Sequence, residues 1–176
     1  MLMLAGIVEN SITDGPGIRF TVFCQGCPHH CPGCQNPETW PFEGGSPFAP
    51  EDILAFVKKD PLVKGVTFSG GEPFCQAEEF AHLARLLKAE GYEVACYTGY
   101  TLEELLAEKD PARMDLLENL DILVDGRFEQ EQLSLSLRFR GSANQRILDV
   151  PASLKAGAAV WQQARRWVGD EIYPRM

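Results

Sequence analysis

Four apolar runs of this chain each stop at a turn built from glycine, cysteine or acid, and helical stretches lie between them. Gly17 to Cys24 is rich in the β-branched and aromatic residues a strand favours and runs straight into a loop crowded with cysteines. Val63 to Ser69 runs into Gly70-Gly-Glu-Pro73, Tyr92 to Thr98 into Gly99, and Leu120 to Val124 into Asp125-Gly-Arg127. Pro50 to Lys59 has acids in its first turn and lysines in its last, as a helix dipole favours. Gln76 to Glu90 puts Phe80, Leu83, Ala84 and Leu87 on one helical face and stops at Gly91. Thr101-Leu-Glu-Glu104 has the form of a capping box, and Ser142 to Val150 reads as one further strand. Strand and helix in alternation specify an α/β domain with a largely parallel sheet. In such sheets ligands bind at the carboxyl ends of the strands, so the four turns are expected to line one mouth. Taken singly, each is also an ordinary turn.

At 176 residues and 45% hydrophobic content the chain suits one domain, 1–176, able to bury roughly two thirds of its unfolded surface. Within it we expect a cysteine loop over 24–36 and a C-terminal helical extension over about 151–176. The stripe Leu154, Gly157, Trp161, Ala164 and Val168 of that extension is expected to pack against the sheet. A formal charge of −9 lacks the basic stripe of a general nucleic-acid surface, so no nucleic acid is expected. Met1 to Val8 carries no basic residue and is too short for a secretory core or a membrane span, which gives the expectation of a cytoplasmic protein without a membrane partner. In a reducing compartment clustered cysteines more often hold metal than form disulfides, and Cys75 and Cys96 read as free thiols.

Cys27, Cys31 and Cys34 form CxxxCxxC in that first loop. A cubane iron–sulfur cluster usually takes four cysteines, so three thiolates leave one iron open to a substrate. Cys24 extends the pattern to CxxCxxxCxxC, which also admits a structural zinc site or a closed electron-transfer cluster. Zinc knuckles are usually separated by a dozen or more residues, whereas Pro28, His29 and His30 alone separate these pairs. The strand pattern before Cys24 places it on a pleat as a core thiol, and His29 and His30 are expected to be exposed. At the other turns, Gly70 and Gly71 allow close backbone approach, and Glu72 suits an ammonium group. Asp125 suits a hydroxyl or a cation and Arg127 a carboxylate, the set an amino-acid-like ligand requires. The alternative makes Asp125-Gly126 a turn and leaves Arg127 solvated.

CxxxCxxC after a first strand with Gly-Gly-Glu after a second resembles the radical S-adenosylmethionine superfamily. Asp14-Gly-Pro-Gly-Ile-Arg19, Gln25-Gly-Cys27, Cys34-Gln-Asn-Pro-Glu-Thr-Trp40, Tyr97-Thr-Gly-Tyr100, Val124-Asp-Gly-Arg-Phe128 and Arg140-Gly-Ser-Ala-Asn-Gln-Arg-Ile147 resemble its glycyl-radical enzyme activases, those of anaerobic ribonucleoside-triphosphate reductases in particular. The likeness runs from about Ile7 to Ile147. It implies a truncated, open barrel of five or six β/α units, short of a full eight-unit barrel. It implies a 4Fe-4S cluster on Cys27, Cys31 and Cys34 whose open iron chelates S-adenosylmethionine. Gly70, Gly71 and Glu72 match the segment that receives the methionine ammonium, and Thr98 a strand end that contacts the cofactor. Asp125 and Arg127 match an Asp-x-Lys pair, with Arg for Lys changing the geometry, and Asn36 falls where relatives touch the nucleoside. Gly33 stands where many members carry an aromatic near the adenine.

The implied activity is reductive cleavage of S-adenosylmethionine followed by hydrogen abstraction from a glycine of the partner reductase. A low-potential reductant such as flavodoxin or ferredoxin would supply the electron, and no residue is asked for acid–base work. Two rivals stand beside it: another small member of the superfamily, either a different glycyl-radical activase or a 7-carboxy-7-deazaguanine synthase, and a non-enzymatic iron–sulfur or zinc protein.

Overall fold

Thr21, Val22 and their neighbours in β2 (Arg19–Cys24) are buried almost throughout, the mark of a strand covered on both faces. The computed structural model describes residues 1–170. Its other strands are β1 (Leu2–Ser11), β3 (Ser46–Phe48), β4 (Gly65–Gly70), β5 (Glu93–Tyr97), β6 (Ile122–Asp125) and β7 (Arg146–Asp149). Its helices are α1 (Pro50–Val57), α2 (Ala77–Ala89), α3 (Leu102–Glu108), α4 (Pro111–Glu118), α5 (Val150–Ala156) and α6 (Arg165–Val168). The strands form one seven-stranded sheet in the order β3-β1-β2-β4-β5-β6-β7. Pairs β2/β4, β4/β5 and β5/β6 are parallel, and β1/β2, β1/β3 and β6/β7 are antiparallel.

The fold is therefore α/β with an open, mixed sheet, and its parallel part holds four strands. Connection length explains the division. Each parallel step returns through helix, α1, α2 or α3 with α4, as a crossover must. β1 reaches β2 through a short turn that permits only a hairpin, and no crossover helix lies between β6 and β7. β1 and β3 are absent from the expectations. Glu9, Asn10 and an exposed outer half give β1 only a broken alternation, and β3 is three residues long. The C-terminal stripe is not one helix: α5 ends at Gly157 in a left-handed C-cap, and Trp161 instead bridges to Leu148 as extended chain before α6. Residues 171–176 of the expected extension lie outside the described residues.

Alternation along the strands sorts two cores. Val66, Phe68, Val94, Cys96, Leu123 and Leu148 face the helices and meet Ile53, Phe80, Leu83 and Leu117. Ala95, Ile122, Val124 and Ile147 face the other way and pack with Trp167 and Val168. The rest of this second face is polar. Arg19, 1% exposed, lies across it, donating through Nε to Thr67 Oγ1 at 2.8 Å and through Nη1 to Glu93 at 2.9 Å, with its guanidinium over the Trp167 ring. Burial pulls the Arg19 pKa down while Glu93 draws it back up. Above this floor the strand ends open into a cavity.

Candidate metal centre

Every parallel strand sends its carboxyl end to one cavity of about 680 Å³. β2 contributes the cysteine loop, β4 contributes Ser69, Gly70 and Gly71, β5 contributes Tyr97, Thr98 and Gly99, and β6 contributes Gly126 and Phe128. The β-sheet places these loops together because parallel strands all end on the same edge. Two of the glycines are there for room. Gly70 has φ +87, and a Cβ at Gly71 would press on Gly26 O and stand 2.9 Å from Cys24 O, so the chain after β4 lies directly on the cysteine loop. Gly71 N–H donates to Cys24 O and Glu72 N–H to Gly26 O, both at 2.8 Å.

Cys27, Cys31 and Cys34 all line the cavity, and Cys24 does not. Backbone N–H groups reach each of the three: those of His29 and His30 face the Cys27 sulfur, that of Phe128 faces Cys31, and Asn36 N–H donates to Cys34 Sγ at 3.4 Å. Burial raises the pKa of Cys27 and Cys31, and these N–H groups oppose the rise. Cys24 is fully buried, accepts from the Gln76 amide at 3.1 Å, and has its pKa pushed far up by burial and by Glu72. It is a core thiol. Among the described residues no three Cys, His, Asp or Glu side chains converge as ligands for a single ion. Three separated thiols around one cavity suit a multi-iron cube, with N–H···S bonds of the kind that tune its potential.

Glu72 is 0% exposed and lies outside the cavity lining. Its carboxylate accepts from Phe74 N–H at 3.0 Å, Thr98 Oγ1 at 2.9 Å, Gly99 N–H at 2.8 Å and, across 2.7 Å, meets His29 Nε2. Those partners come from three loops, so Glu72 ties the strand ends together, and the cavity edge after β4 is the bare backbone of Ser69 to Gly71. Thr98 and Asn36 line the cavity.

Asp125 and Arg127 do not. Asp125, 1% exposed, takes Arg146 Nε at 3.0 Å and Nη2 at 2.6 Å, plus Leu102 N–H at 2.8 Å, so its oxygens are already committed to β7 and the start of α3. Arg127 reaches outward to Glu104. Neither side chain is among those that line the cavity. His29 corrects an expectation: its side chain is buried, not exposed, whereas His30 is exposed. Tyr97, Phe128 and Trp40 also line the cavity and were missed. Strand alternation carries a signal for Tyr97, which falls on the same face as Ala95.

The family model for a 4Fe-4S single cluster domain matches residues 13–148, a span holding all four strand-end loops. The anaerobic ribonucleoside-triphosphate reductase-activating protein of Escherichia coli (strain K12) is 39% identical over 142 residues, covering 76% of this chain and 90% of that protein. The protein of the same name from Vibrio cholerae is 40% identical over 144 residues, 77% of this chain and 90% of its own length. That of Enterobacteria phage T4 is 32% identical over 140 residues, 76% and 85% of the two chains.

Proposed function

Because this chain belongs to the family of anaerobic ribonucleoside-triphosphate reductase-activating proteins, we propose that Cys27, Cys31 and Cys34 hold a 4Fe-4S cluster with which it installs a glycyl radical on such a reductase. One observation carries this reading: three thiols of a single loop face one cavity, each met by backbone N–H, while the neighbouring Cys24 turns into the core. When bound, the cluster supplies the electron that cleaves S-adenosylmethionine, so that hydrogen is taken from a glycine α-carbon of the reductase.

The chain's own residues bind, orient and shield. The backbone edge Ser69 to Gly71 is open to the cavity and offers carbonyls to the methionine ammonium, with Glu72 bracing that edge from behind. Thr98 and Asn36 face the same space, where Asn36, joined to Cys34 through its backbone N–H, would meet the nucleoside. Trp40, Tyr97, Phe128 and Phe139 wall it with aromatic surface, which keeps bulk water from the reacting atoms. Asp125 contributes at one remove, by holding Arg146 and the first turn of α3. Under this reading the open sheet is a truncated barrel of the superfamily, with four parallel strands and antiparallel flanks standing in for the expected five or six units. A low-potential carrier such as flavodoxin or ferredoxin would feed the cluster.

Anaerobic reconstitution tests the proposal. Purified protein should take up about four irons per chain with a brown chromophore. Reduced, and given S-adenosylmethionine and an anaerobic ribonucleoside-triphosphate reductase, it should generate the doublet of a backbone radical in electron paramagnetic resonance. Stoichiometric zinc without iron, or iron uptake with no radical on the reductase, would overturn it.

A further inference from the structure

Between Pro28 and Gly33 the cysteine loop turns one ring into the protein. Pro28, His30, Pro32 and Gly33 are exposed, whereas the His29 side chain is 6% exposed. Its Nε2 lies 2.7 Å from Glu72 Oε2, and its ring meets Tyr100 edge-on with centroids 4.6 Å apart. The backbone is shaped to admit it: a Cβ at Gly99 would fall within 2.6 Å of His29 Nε2. His30 takes φ 47, a left-handed conformation that a non-glycine residue holds only where its neighbours impose it. The ring thus sits between the two cysteines of the CxxxC segment and bears on a carboxylate that is itself fixed from β4 and β5.

We propose that His29 is a positioning residue: its bond to Glu72 pins the cysteine loop to the ends of β4 and β5 and so fixes where Cys27 and Cys31 present sulfur to the cavity. The proposal rests on the cluster reading given above for its consequence, and on the His29, Glu72, Gly99 and Tyr100 contacts for its mechanism. Glu72 has no solvent to turn to if His29 is lost, because its carboxylate is wholly buried. Within the segment His30 rests on the Trp40 ring, with centroids 4.9 Å apart, while His29 supplies the tie to the ends of β4 and β5. Loss of the bond therefore frees the cysteine loop without opening the sheet, a result that overall folding does not report.

The test uses two substitutions in the full chain. His29→Phe keeps a flat ring beside Tyr100 and removes the bond; His29→Gln removes the ring and keeps an amide donor for Glu72. In the metal-free protein, amide exchange over residues 27–34 should rise about tenfold in His29→Phe and return toward the parent in His29→Gln, with β4 and β5 unchanged. In the reconstituted protein, His29→Phe should keep the parent's iron content and alter the cluster's electron paramagnetic resonance signal. It should also raise KM for S-adenosylmethionine about tenfold with a smaller change in kcat, and His29→Gln should again recover. If loop exchange in His29→Phe matches the parent, or if His29→Gln is as impaired as His29→Phe, the proposal is overturned. Should His29→Phe not fold, His29→Asn, whose shorter amide falls short of Glu72, breaks the bond in less volume and is held to the same two outcomes. A parent protein that takes up no iron, or whose cluster signal ignores S-adenosylmethionine, overturns the cluster reading instead and leaves the exchange result intact.

Discussion

Arg146 grips Asp125 side-on, Nε to Oδ1 at 3.0 Å and Nη2 to Oδ2 at 2.6 Å, and so joins the last parallel strand to the antiparallel strand beside it. Glu103 on α3 holds the same guanidinium from the other side. These carboxylates raise the already high pKa of Arg146 further, Asp125 most of all. Bidentate pairing of this kind fixes direction as well as distance.

Removing Arg146 should leave Asp125 buried with Leu102 N–H as its remaining partner. Arg146→Met, which keeps the aliphatic stem, should lower stability by about 3 kcal/mol. Urea unfolding followed by circular dichroism measures it, and a loss below about 0.5 kcal/mol would mean that the pair is not a support of the fold.

Glu93 sets an acid limit. Burial raises its pKa, but Arg166 and Arg19 outweigh burial and hold it below the ordinary glutamate value. A depressed folded-state pKa gives stability that is present above about pH 4.5 and drains away as pH falls through the lower folded value. Stability should therefore decline on acidification below about pH 4.5. Glu93→Gln should cost about 2 kcal/mol at pH 7 by stranding the buried Arg19, and should flatten that acid slope. Melting curves at stepped pH that keep the parent's slope in the variant would refute the assignment.

The cysteines should divide three to one. Cys27→Ala, Cys31→Ala and Cys34→Ala are each expected to lose the iron chromophore, since each thiol faces the cavity. Cys24→Ala should keep about four irons and lose about 1 kcal/mol of stability through a small core gap, since the Gln76 amide keeps the Met3 and Gln25 carbonyls as acceptors. Iron assay with absorption spectra decides it, and an iron-free Cys24→Ala would make Cys24 a ligand.

Gly71→Ala should be far worse than its size suggests. The new methyl would press on the Gly26 and Cys24 carbonyls, which are backbone and cannot turn aside. The expected cost is about 3 kcal/mol, with S-adenosylmethionine affinity falling at least tenfold because the edge after β4 moves off the cavity. Calorimetric titration on reconstituted protein checks it, and parent-like affinity would show that this edge does not touch the ligand.

The strand and helix alternation was legible because it is local. β4, β5 and β6 fall within a residue or two of their expected ends, and Thr101 with Glu104 forms the capping box its spacing announces. The cavity was legible too, since parallel strands deliver their turns to one edge whatever the turns contain. The side-chain directions of Asp125 and Arg127 were not legible, for the opposite reason. Their position after β6 is right, but the direction of each side chain depends on Arg146, 21 residues from Asp125, and Glu104, 23 residues from Arg127. His29 was misjudged likewise, because a histidine between exposed prolines looks solvated until Gly99 and Glu72 are set beside it.

Three thiols in one short loop and four strands ending in special turns were dictated by the chain itself, since spacing and side-chain period act over a few residues. Which cysteine turns away, which acid is already taken by an arginine, and which histidine is drawn inside were decided only when the strands took their order. Those outcomes depend on groups 20 to more than 40 residues apart meeting across strand ends, and no local preference specifies such a meeting.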